Sequence, residues 1–141
     1  MMTRTATARY EGLGKPGKGQ VSTQSGVLDA SPYGFNTRFE GGKGTNPEEL
    51  IAAAHASCFT MALSFALAGA GFSDGTLDTK ASVKLDKDGD GFKVSRSDLE
   101  VTASVPGISP EQFEELANGA KAGCPISKLL NAEITLKHEL R

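Results

Sequence analysis

A long uncharged segment in the middle of the chain constrains the fold more than any other feature. Residues 50–73 contain no Asp, Glu, Lys or Arg, and their apolar side chains do not keep to one stripe, which predicts a helix buried on most sides. Asn46 is a favourable N-cap, Pro47 suits the first helical position, and Glu49 stands where it can complete a capping box. Cys58 lies in the middle of this helix, so its thiol is either inert packing or positioned chemistry.

Size and charge narrow the class of protein. A chain of 141 residues suits a single domain that spans residues 1–141. The formal net charge of −2 leaves no basic surplus to neutralise phosphates. We therefore expect no nucleic acid as a partner.

The location of the protein can also be inferred from composition. Residues 1–9 lack the continuous apolar stretch of a secretory signal peptide. Residues 50–73 are long enough to cross a membrane, but their many Ala, Gly and Ser residues, His55, and the glutamates before them argue against a span. We expect a cytoplasmic protein with no membrane partner, in which the two cysteines are reactive or buried thiols rather than a permanent disulfide.

Periodicity and turn residues predict a mixed set of secondary-structure elements. The Gly-rich segment 12–19 partly matches phosphate-binding motifs, but strand-like residues follow where those motifs need a helix, so a hairpin loop is favoured. The apolar alternation of residues 92–105 changes phase, which predicts a β-bulge between Arg96 and Asp98. We predict strands at residues 4–11, 20–25, 81–86, 92–105 and 134–140. Residues 26–39 should form short extended pieces, with Arg38 in the last of them. Besides the long helix, two helices should start at Ser109 and Pro125. This order is typical of an α+β protein.

Two cysteines could carry chemistry. Cys124 would cap the helix that begins at Pro125, and a helix N-terminus lowers the pKa of a thiol. Cys58 lies in an apolar helix that would raise its pKa, so a cation must be brought to it before it can react. The residues alone favour Cys124 as the more reactive thiol and leave inert packing of both cysteines open.

His55 lies three residues before Cys58, on the same face of the predicted helix. It could act as a base for that thiol, or it could join Cys58 and Cys124 as a zinc ligand, although neither a fourth ligand nor C-x-x-C spacing is present. A neutral core histidine paired to the backbone is the interpretation that we favour.

Two cysteine motifs carry a resemblance to a known family. The segment Tyr33-Gly-Phe-Asn-Thr-Arg-Phe-Glu-Gly-Gly-Lys-Gly-Thr-Asn-Pro-Glu-Glu-Leu, with Ala56-Ser-Cys-Phe and then Lys121-Ala-Gly-Cys-Pro-Ile-Ser, resembles the OsmC/Ohr family of hydroperoxide reductases, and its osmotically inducible OsmC branch most. The resemblance implies an α+β fold in which antiparallel sheets of an intertwined homodimer wrap around long central helices. It also implies catalysis without a metal or another cofactor.

The resemblance assigns a role to four residues. It implies that Cys58 attacks the peroxide and becomes a sulfenic acid, that Cys124 resolves it to a disulfide, and that Arg38 and Glu48 activate the thiolate. Glu48 would hold the Arg38 guanidinium by two hydrogen bonds, since Glu49 is already assigned to the helix cap. The expected substrates are organic hydroperoxides and, more weakly, hydrogen peroxide; the expected reductant is a dithiol such as a lipoyl group, and the expected role is defence against oxidative or osmotic stress.

The spacing of Glu48 and Cys58 adds a geometric expectation. Ten residues of helix separate them by about 15 Å along the axis, so we expect Arg38 and Glu48 to act on Cys58 of the partner subunit. Cys124 should lie near Cys58 in the same chain, because a disulfide needs Cα atoms within about 7 Å. The alternative is a dimeric binding protein for a hydrophobic ligand, in which both cysteines are buried and non-catalytic.

Overall fold

Two three-stranded sheets and four helices form along the chain in an irregular order. The computed structural model describes all residues, 1–141. The elements are β1 (Ala6–Glu11), β2 (Lys18–Thr23), β3 (Ser31–Tyr33), α1 (Phe35–Phe39), α2 (Pro47–Gly69), β4 (Thr76–Asp88), β5 (Gly91–Ser104), α3 (Pro110–Gly123), α4 (Pro125–Leu129) and β6 (Glu133–Leu140). This is the α+β class that the sequence predicts. The chain divides into two compact units, Met1–Leu50 and Ile51–Arg141, and the single domain over 1–141 stays a prediction.

The first unit is an antiparallel sheet in the order β1-β2-β3. β1 and β2 pair from Ala6 with Thr23 to Glu11 with Lys18. The Gly-rich segment between them is the predicted hairpin loop, and β2, rather than a helix, follows it. The loop therefore lacks the helix N-terminus that a phosphate-binding loop needs.

Arg38 lies on the short helix α1, so the prediction of an extended segment there is wrong. The Thr37 hydroxyl closes the first turn, because its oxygen accepts from the Gly34 N–H at 2.8 Å and its proton is donated to the Gly34 carbonyl at 3.0 Å. These local hydrogen bonds outweigh the strand preference of the side chains. After α1, Gly44 has a φ of 130°, and a Cβ there would collide with the Pro32 carbonyl oxygen. The chain can therefore turn back against β3 before α2 begins.

The start of α2 is capped as predicted, but only half of the capping box forms. The Asn46 side-chain oxygen accepts a hydrogen bond from the Glu49 N–H at 2.8 Å. The Glu49 carboxylate accepts from the Thr45 hydroxyl at 2.8 Å instead of returning to the cap residue. Glu48 takes no part in this capping, which leaves its carboxylate available to Arg38.

One face of α2 is buried within the chain, so the expectation of burial on most sides is wrong for a single copy. The buried stripe consists of His55, Phe59, Leu63 and Leu67. Met61 and Phe65 are 60% and 71% exposed. By length and composition α2 could cross a membrane, a test that the core helix of a soluble protein also passes.

The second unit contains a mixed sheet in the order β4-β5-β6. β4 and β5 are antiparallel, and their register shifts because consecutive residues Lys84 and Leu85 pair with Arg96 and Val94. Ser95 is the extra residue, so the predicted β-bulge exists but lies just before the predicted position. The Ser95 hydroxyl donates a hydrogen bond to the Asp86 carboxylate.

β6 runs parallel to β5, pairing for example Ser97 with Ile134. The prediction of purely antiparallel sheets is therefore wrong for this pair. The reason is the connection: between β5 and β6 the chain passes through α3 and α4, and such a crossover brings the next strand back in the same direction. The core of this unit is a cluster of buried residues from α2, β5 and α3, including Phe59, Leu63, Leu99, Val101, Phe113 and Ala117.

Candidate active site

The two cysteines meet inside the second unit. Cys58 is half-buried in the middle of α2, and Cys124 is fully buried between α3 and α4. Both are free thiols, and their side chains are hydrogen-bonded to each other. The structure thus brings Cys58 and Cys124 together within one chain, as the geometric expectation required. The catalytic roles assigned to them stay predictions.

Cys124 lies at the break between helices α3 and α4. It is the C-cap of α3 and the N-cap of α4, and its φ of −57° and ψ of 126° lie outside the helical region. Pro125 then begins α4, as predicted. The backbone amides of Ile126 and Ser127, in the first turn of α4, act on the thiols: the amide of Ile126 acts to lower the pKa of both cysteines, and the amide of Ser127 acts to lower the pKa of Cys124.

The surroundings of the two thiols shift their pKa values in opposite directions. Burial raises the pKa of Cys58, and its hydrogen bond with Cys124 raises it further, against a smaller effect of the Ile126 amide. Burial also acts to raise the pKa of Cys124, but the hydrogen bonds from Cys58, Ser127 and Ile126 together lower it below its ordinary value. Within one chain Cys124 is therefore the thiol that ionises first. Within one chain, no positively charged side chain contributes to the pKa shift of Cys58.

Arg38 and Glu48 form a two-pronged ion pair in the first unit. The Arg38 Nε donates to Glu48 Oε1 at 2.8 Å, and its Nη2 donates to Oε2 at 3.0 Å. The Glu48 side chain is only 12% exposed, whereas that of Arg38 is 37% exposed. The pairing itself is the one that the resemblance implied. Because the carboxylate occupies one edge of the guanidinium, the pair fixes the direction in which the remaining N–H groups point.

An apolar groove adjoins Arg38 in the same unit. It has a volume of about 360 Å³, and its aromatic lining residues are Tyr10, Tyr33, Phe35 and Phe39. The centroids of the Phe35 and Phe39 rings are 5.0 Å apart. A ligand with an apolar group and a polar end could place the first against these rings and the second at Arg38.

His55 is fully buried and is held at both ring nitrogens. Its Nδ1 lies 2.6 Å from the Ser97 hydroxyl on β5, and its Nε2 lies 2.8 Å from the Ser127 hydroxyl on α4. Burial lowers the pKa of His55, which favours the neutral ring, and its partners are serines rather than the backbone. No three His, Cys, Asp or Glu side chains are placed to hold a metal ion, so His55, Cys58 and Cys124 do not converge as zinc ligands.

Sequence reasoning did not single out Ser97 or Ser127. Ser127 belongs to the motif that follows Cys124, where its spacing of three residues from a helix cap could have suggested a contact with the thiol. Ser97 lies on β5 close to the bulge, and no local pattern distinguishes it. Its contact with His55 depends on the packing of α2 against the sheet.

Known proteins similar to this chain belong to one family, the OsmC-like proteins and their organic hydroperoxide resistance relatives. The family model of OsmC-like proteins matches residues 40–139. Peroxiredoxin OsmC of Escherichia coli is 57% identical over 134 residues, which cover 95% of this chain and 94% of that protein. The chain therefore belongs to the OsmC/Ohr family and lies in its OsmC branch.

A more distant relative supports both the family and the fold. The organic hydroperoxide resistance protein OhrB of Bacillus subtilis is 32% identical over 124 residues, which cover 87% of this chain and 89% of that protein. The crystal structure of OhrB matches with a TM-score of 0.71 at 31% identity and covers 99% of this chain and 98% of that chain.

Proposed function

We propose that this protein is a two-cysteine thiol peroxidase that reduces organic hydroperoxides and, more weakly, hydrogen peroxide in defence against oxidative or osmotic stress. The observation that carries the proposal is the hydrogen-bonded pair of free thiols, Cys58 and Cys124. Two further facts support it: one relative is named a peroxiredoxin, and another is named for organic hydroperoxide resistance.

The reaction divides into two steps on the protein. The Cys58 thiolate attacks one peroxide oxygen, the O–O bond breaks, and the other oxygen leaves and is protonated to an alcohol, so Cys58 becomes a sulfenic acid. Cys124 then attacks the Cys58 sulfur, and a disulfide and one water form. A dithiol, such as a lipoyl group, reduces the disulfide by thiol exchange. No metal or other cofactor is needed for these steps.

The cation that Cys58 needs is Arg38 of the partner subunit in this proposal. An opposite charge within about 4–6 Å lowers the pKa of an acid by roughly 1–3 units. Glu48 and Cys58 lie on the same helix, ten residues and about 15 Å apart along its axis. Since Glu48 holds Arg38 by two hydrogen bonds, the pair is better placed to reach a second copy of the helix than its own.

A homodimer would also cover surfaces that one copy leaves open. In the first unit the only buried residues are Gly19, Thr37 and Thr45, and none of them is a large apolar side chain. A three-stranded sheet without a buried apolar face is not stable by itself in water. The exposed Met61 and Phe65 on α2 provide apolar surface in the second unit. We therefore propose an intertwined homodimer in which α2 helices pack centrally.

The groove beside Arg38 supports an organic substrate. Its aromatic lining suits an alkyl or aryl group, and hydrogen peroxide has no such group to bury. Burial of apolar area contributes about 25 cal/mol per Å², so a bulky hydroperoxide should bind more tightly than hydrogen peroxide. This preference is expected mainly in KM.

Loss of free thiols tests the peroxidase proposal. Reduced protein treated with one equivalent of cumene hydroperoxide should lose both thiols and form a Cys58–Cys124 disulfide, visible by thiol titration and mass spectrometry. The Cys124→Ser variant should stop at a sulfenic acid on Cys58, and the Cys58→Ser variant should keep its remaining thiol. Addition of dihydrolipoamide should restore both thiols in the wild type. If both thiols stay titratable after cumene hydroperoxide, the binding-protein alternative replaces the enzyme.

Mixed dimers test the shared site. Homodimers of Cys58→Ser and of Arg38→Ala should both have very low activity. A mixed dimer of the two has one site that combines Cys58 from one chain with Arg38 from the other, and it should recover up to about half of the wild-type activity. A dimer that mixes Arg38→Ala with the Cys58→Ser, Arg38→Ala double variant is the control and should recover nothing. Equal activity in both mixtures would contradict a site shared between subunits.

A further inference from the structure

We infer that Ser127 and His55 relay the proton of Cys124 when this thiol attacks the oxidised Cys58. This inference rests on the proposed peroxidase function and concerns its second step. Ser127 touches the reacting Cys124, whereas His55 acts through Ser127 and is therefore a positioning and proton-holding residue.

An unbroken set of polar contacts leads from the sheet to the thiols. Ser97 contacts His55 Nδ1 at 2.6 Å, His55 Nε2 contacts Ser127 at 2.8 Å, the Ser127 side chain bonds to Cys124, and Cys124 bonds to Cys58. Ser97, His55 and Cys124 are fully buried, and Ser127 is 9% exposed. Three separate elements, β5, α2 and α4, contribute to this relay, so it exists only in the folded protein.

The chemistry of a neutral imidazole gives the relay a direction. One ring nitrogen donates a hydrogen bond and the other accepts. When Nδ1 donates to Ser97, Nε2 accepts the Ser127 hydroxyl proton, and the Ser127 oxygen is free to accept from the Cys124 thiol. With the other tautomer, Nε2 donates to Ser127, and the Ser127 hydroxyl can donate to a Cys124 thiolate. The two tautomers therefore match the two protonation states of Cys124.

The proton transfers balance over the second step. The Ser127 hydroxyl proton moves to His55 Nε2 while the Cys124 thiol proton moves to the Ser127 oxygen, which leaves a Cys124 thiolate and a protonated His55. The thiolate attacks the Cys58 sulfur, an S–S bond forms, the S–O bond breaks, and hydroxide leaves. The proton carried by His55 neutralises that hydroxide, so the products are the disulfide, one water and a neutral His55. Cys58 is reduced from a sulfenic acid, and Cys124 is oxidised.

The surroundings of His55 suit a transient proton acceptor. Its hydrogen-bond partners are two uncharged serines, Ser97 and Ser127, and burial is the cause of its lowered pKa. A neutral ring can accept the proton during the attack and cannot hold it afterwards, which returns the relay to its starting state.

Rapid mixing of reduced protein with cumene hydroperoxide separates the two steps. The first phase, formation of the Cys58 sulfenic acid, is followed by trapping with dimedone, and the second, formation of the disulfide, by alkylation of free thiols and mass spectrometry. In Ser127→Ala and His55→Gln we expect an unchanged first phase and a second phase about 100-fold slower, at the lower end of general acid–base effects. The glutamine can still hydrogen-bond to Ser127 but cannot take up a proton.

Two further variants control for structural effects. Ser127→Thr keeps the hydroxyl and should restore the second phase to within a few-fold of the wild type. Thr60→Val removes a half-buried hydroxyl on the same helix, one that bonds to Thr79 at 2.7 Å outside the relay, and should leave both phases unchanged.

The outcomes distinguish this inference from the proposed function. A normal first phase and an unslowed second phase in both Ser127→Ala and His55→Gln would overturn the relay alone. A slowed first phase in Ser127→Ala would also overturn it, because the hydroxyl would then act on Cys58. If the wild type forms no sulfenic acid, the peroxidase proposal itself fails and the relay fails with it. If His55→Gln does not fold, the comparison of Ser127→Ala with Ser127→Thr decides.

Discussion

At the scale of single residues, the two thiols differ because their hydrogen-bond partners differ. Cys124 receives hydrogen bonds from Cys58, Ser127 and Ile126, which lower its pKa despite its burial. Cys58 lies in an apolar helix, and burial raises its pKa. An opposite charge within about 4–6 Å lowers the pKa of an acid by roughly 1–3 units, so a well-placed cation acts directly against the effect of burial on Cys58. Arg38 of the partner subunit is the group that we propose for this.

Arg38→Ala should raise the pKa of Cys58 by about 1–3 units, because the thiolate loses its proposed cation. The rate of reaction with cumene hydroperoxide at pH 7 should fall about 10- to 100-fold. It should rise again with pH, since more of the thiol ionises above its new pKa. The thiolate absorbance of Cys58 in a Cys124→Ser background, followed against pH, measures the shift.

Arg9→Ala is the matched control, because Arg9 is an exposed arginine whose Nε lies 2.9 Å from Glu11. It should change neither the Cys58 pKa nor the rate. An unchanged pH profile in Arg38→Ala would contradict the proposed role of the cation.

His55 should make the stability of the protein depend on pH. Burial lowers its pKa below the ordinary value of 6.5, so between the two values the unfolded chain binds more protons than the folded one. The free energy of unfolding should therefore fall as pH falls below about 6.5, by at most about 1.4 kcal/mol per pH unit. Urea unfolding at a fixed protein concentration from pH 7.5 to pH 5 measures this.

Two histidine variants identify the source of that pH dependence. His55→Gln should flatten the decrease, whereas His138→Gln, at the only other histidine, should retain it. An equally steep decrease in His55→Gln would show that another group is responsible.

At the scale of elements, the first turn of α2 gives adjacent glutamates different tasks. Glu49 accepts a hydrogen bond from Thr45, beside the cap residue Asn46. Glu48 holds Arg38 by two hydrogen bonds. Adjacent residues of a helix point about 100° apart, since one turn takes about 3.6 residues, so one side chain faces the cap while the other faces α1.

Glu48→Gln and Glu49→Gln therefore form a matched pair. Glu48→Gln keeps the shape of the side chain but weakens the hold on Arg38, because the ion pair is lost and the amide offers only one acceptor oxygen to the two guanidinium donors. It should lower the rate of hydroperoxide reduction about tenfold. Glu49→Gln should leave that rate within about twofold and lower stability by up to about 1 kcal/mol. Steady-state kinetics and urea unfolding check the two effects. The same loss of rate in both variants would contradict the assignment of Glu48.

At the scale of the whole molecule, a single copy leaves much apolar surface without a partner. The six residues of β1 are all exposed, and no large apolar side chain is buried in residues 1–50. All the buried apolar residues of the core cluster come from residues 59 to 124. In the homodimer that we propose, the second copy covers apolar surface that one copy leaves exposed and brings Arg38 to the other thiol.

Phe65→Glu should dissociate the proposed homodimer. Phe65 is 71% exposed in one copy, so a charge there costs a monomer little, but a charge buried without a partner in a dimer core is strongly unfavourable. Sedimentation velocity of this variant should show a monomer or an unfolded chain. Its peroxidase activity should fall at least tenfold, because the shared site is lost with the dimer. Leu13→Glu, at an 88% exposed position in the hairpin loop, is the control and should remain dimeric. A dimeric, active Phe65→Glu variant would contradict packing through this face of α2.

Features with local causes could be predicted from the order of the residues alone. The start of α2 at Asn46 and Pro47, the start of α3 at Ser109, the hairpin loop after β1 and the helix break at Cys124 all follow from caps, prolines and glycines within a few residues. The cysteine motifs also identified the family, and the Arg38–Glu48 hydrogen bonds could be inferred from it.

Contacts between residues far apart in the chain could not be predicted in this way, because they depend on how the elements pack. The parallel pairing of β6 depends on where the crossover through α3 and α4 returns. The contacts of His55 with Ser97 and Ser127 required α2, β5 and α4 to pack together. Periodicity reports which face of an element is buried, but it does not report which side chain of another element lies opposite, because that is set by packing between residues far apart in the chain.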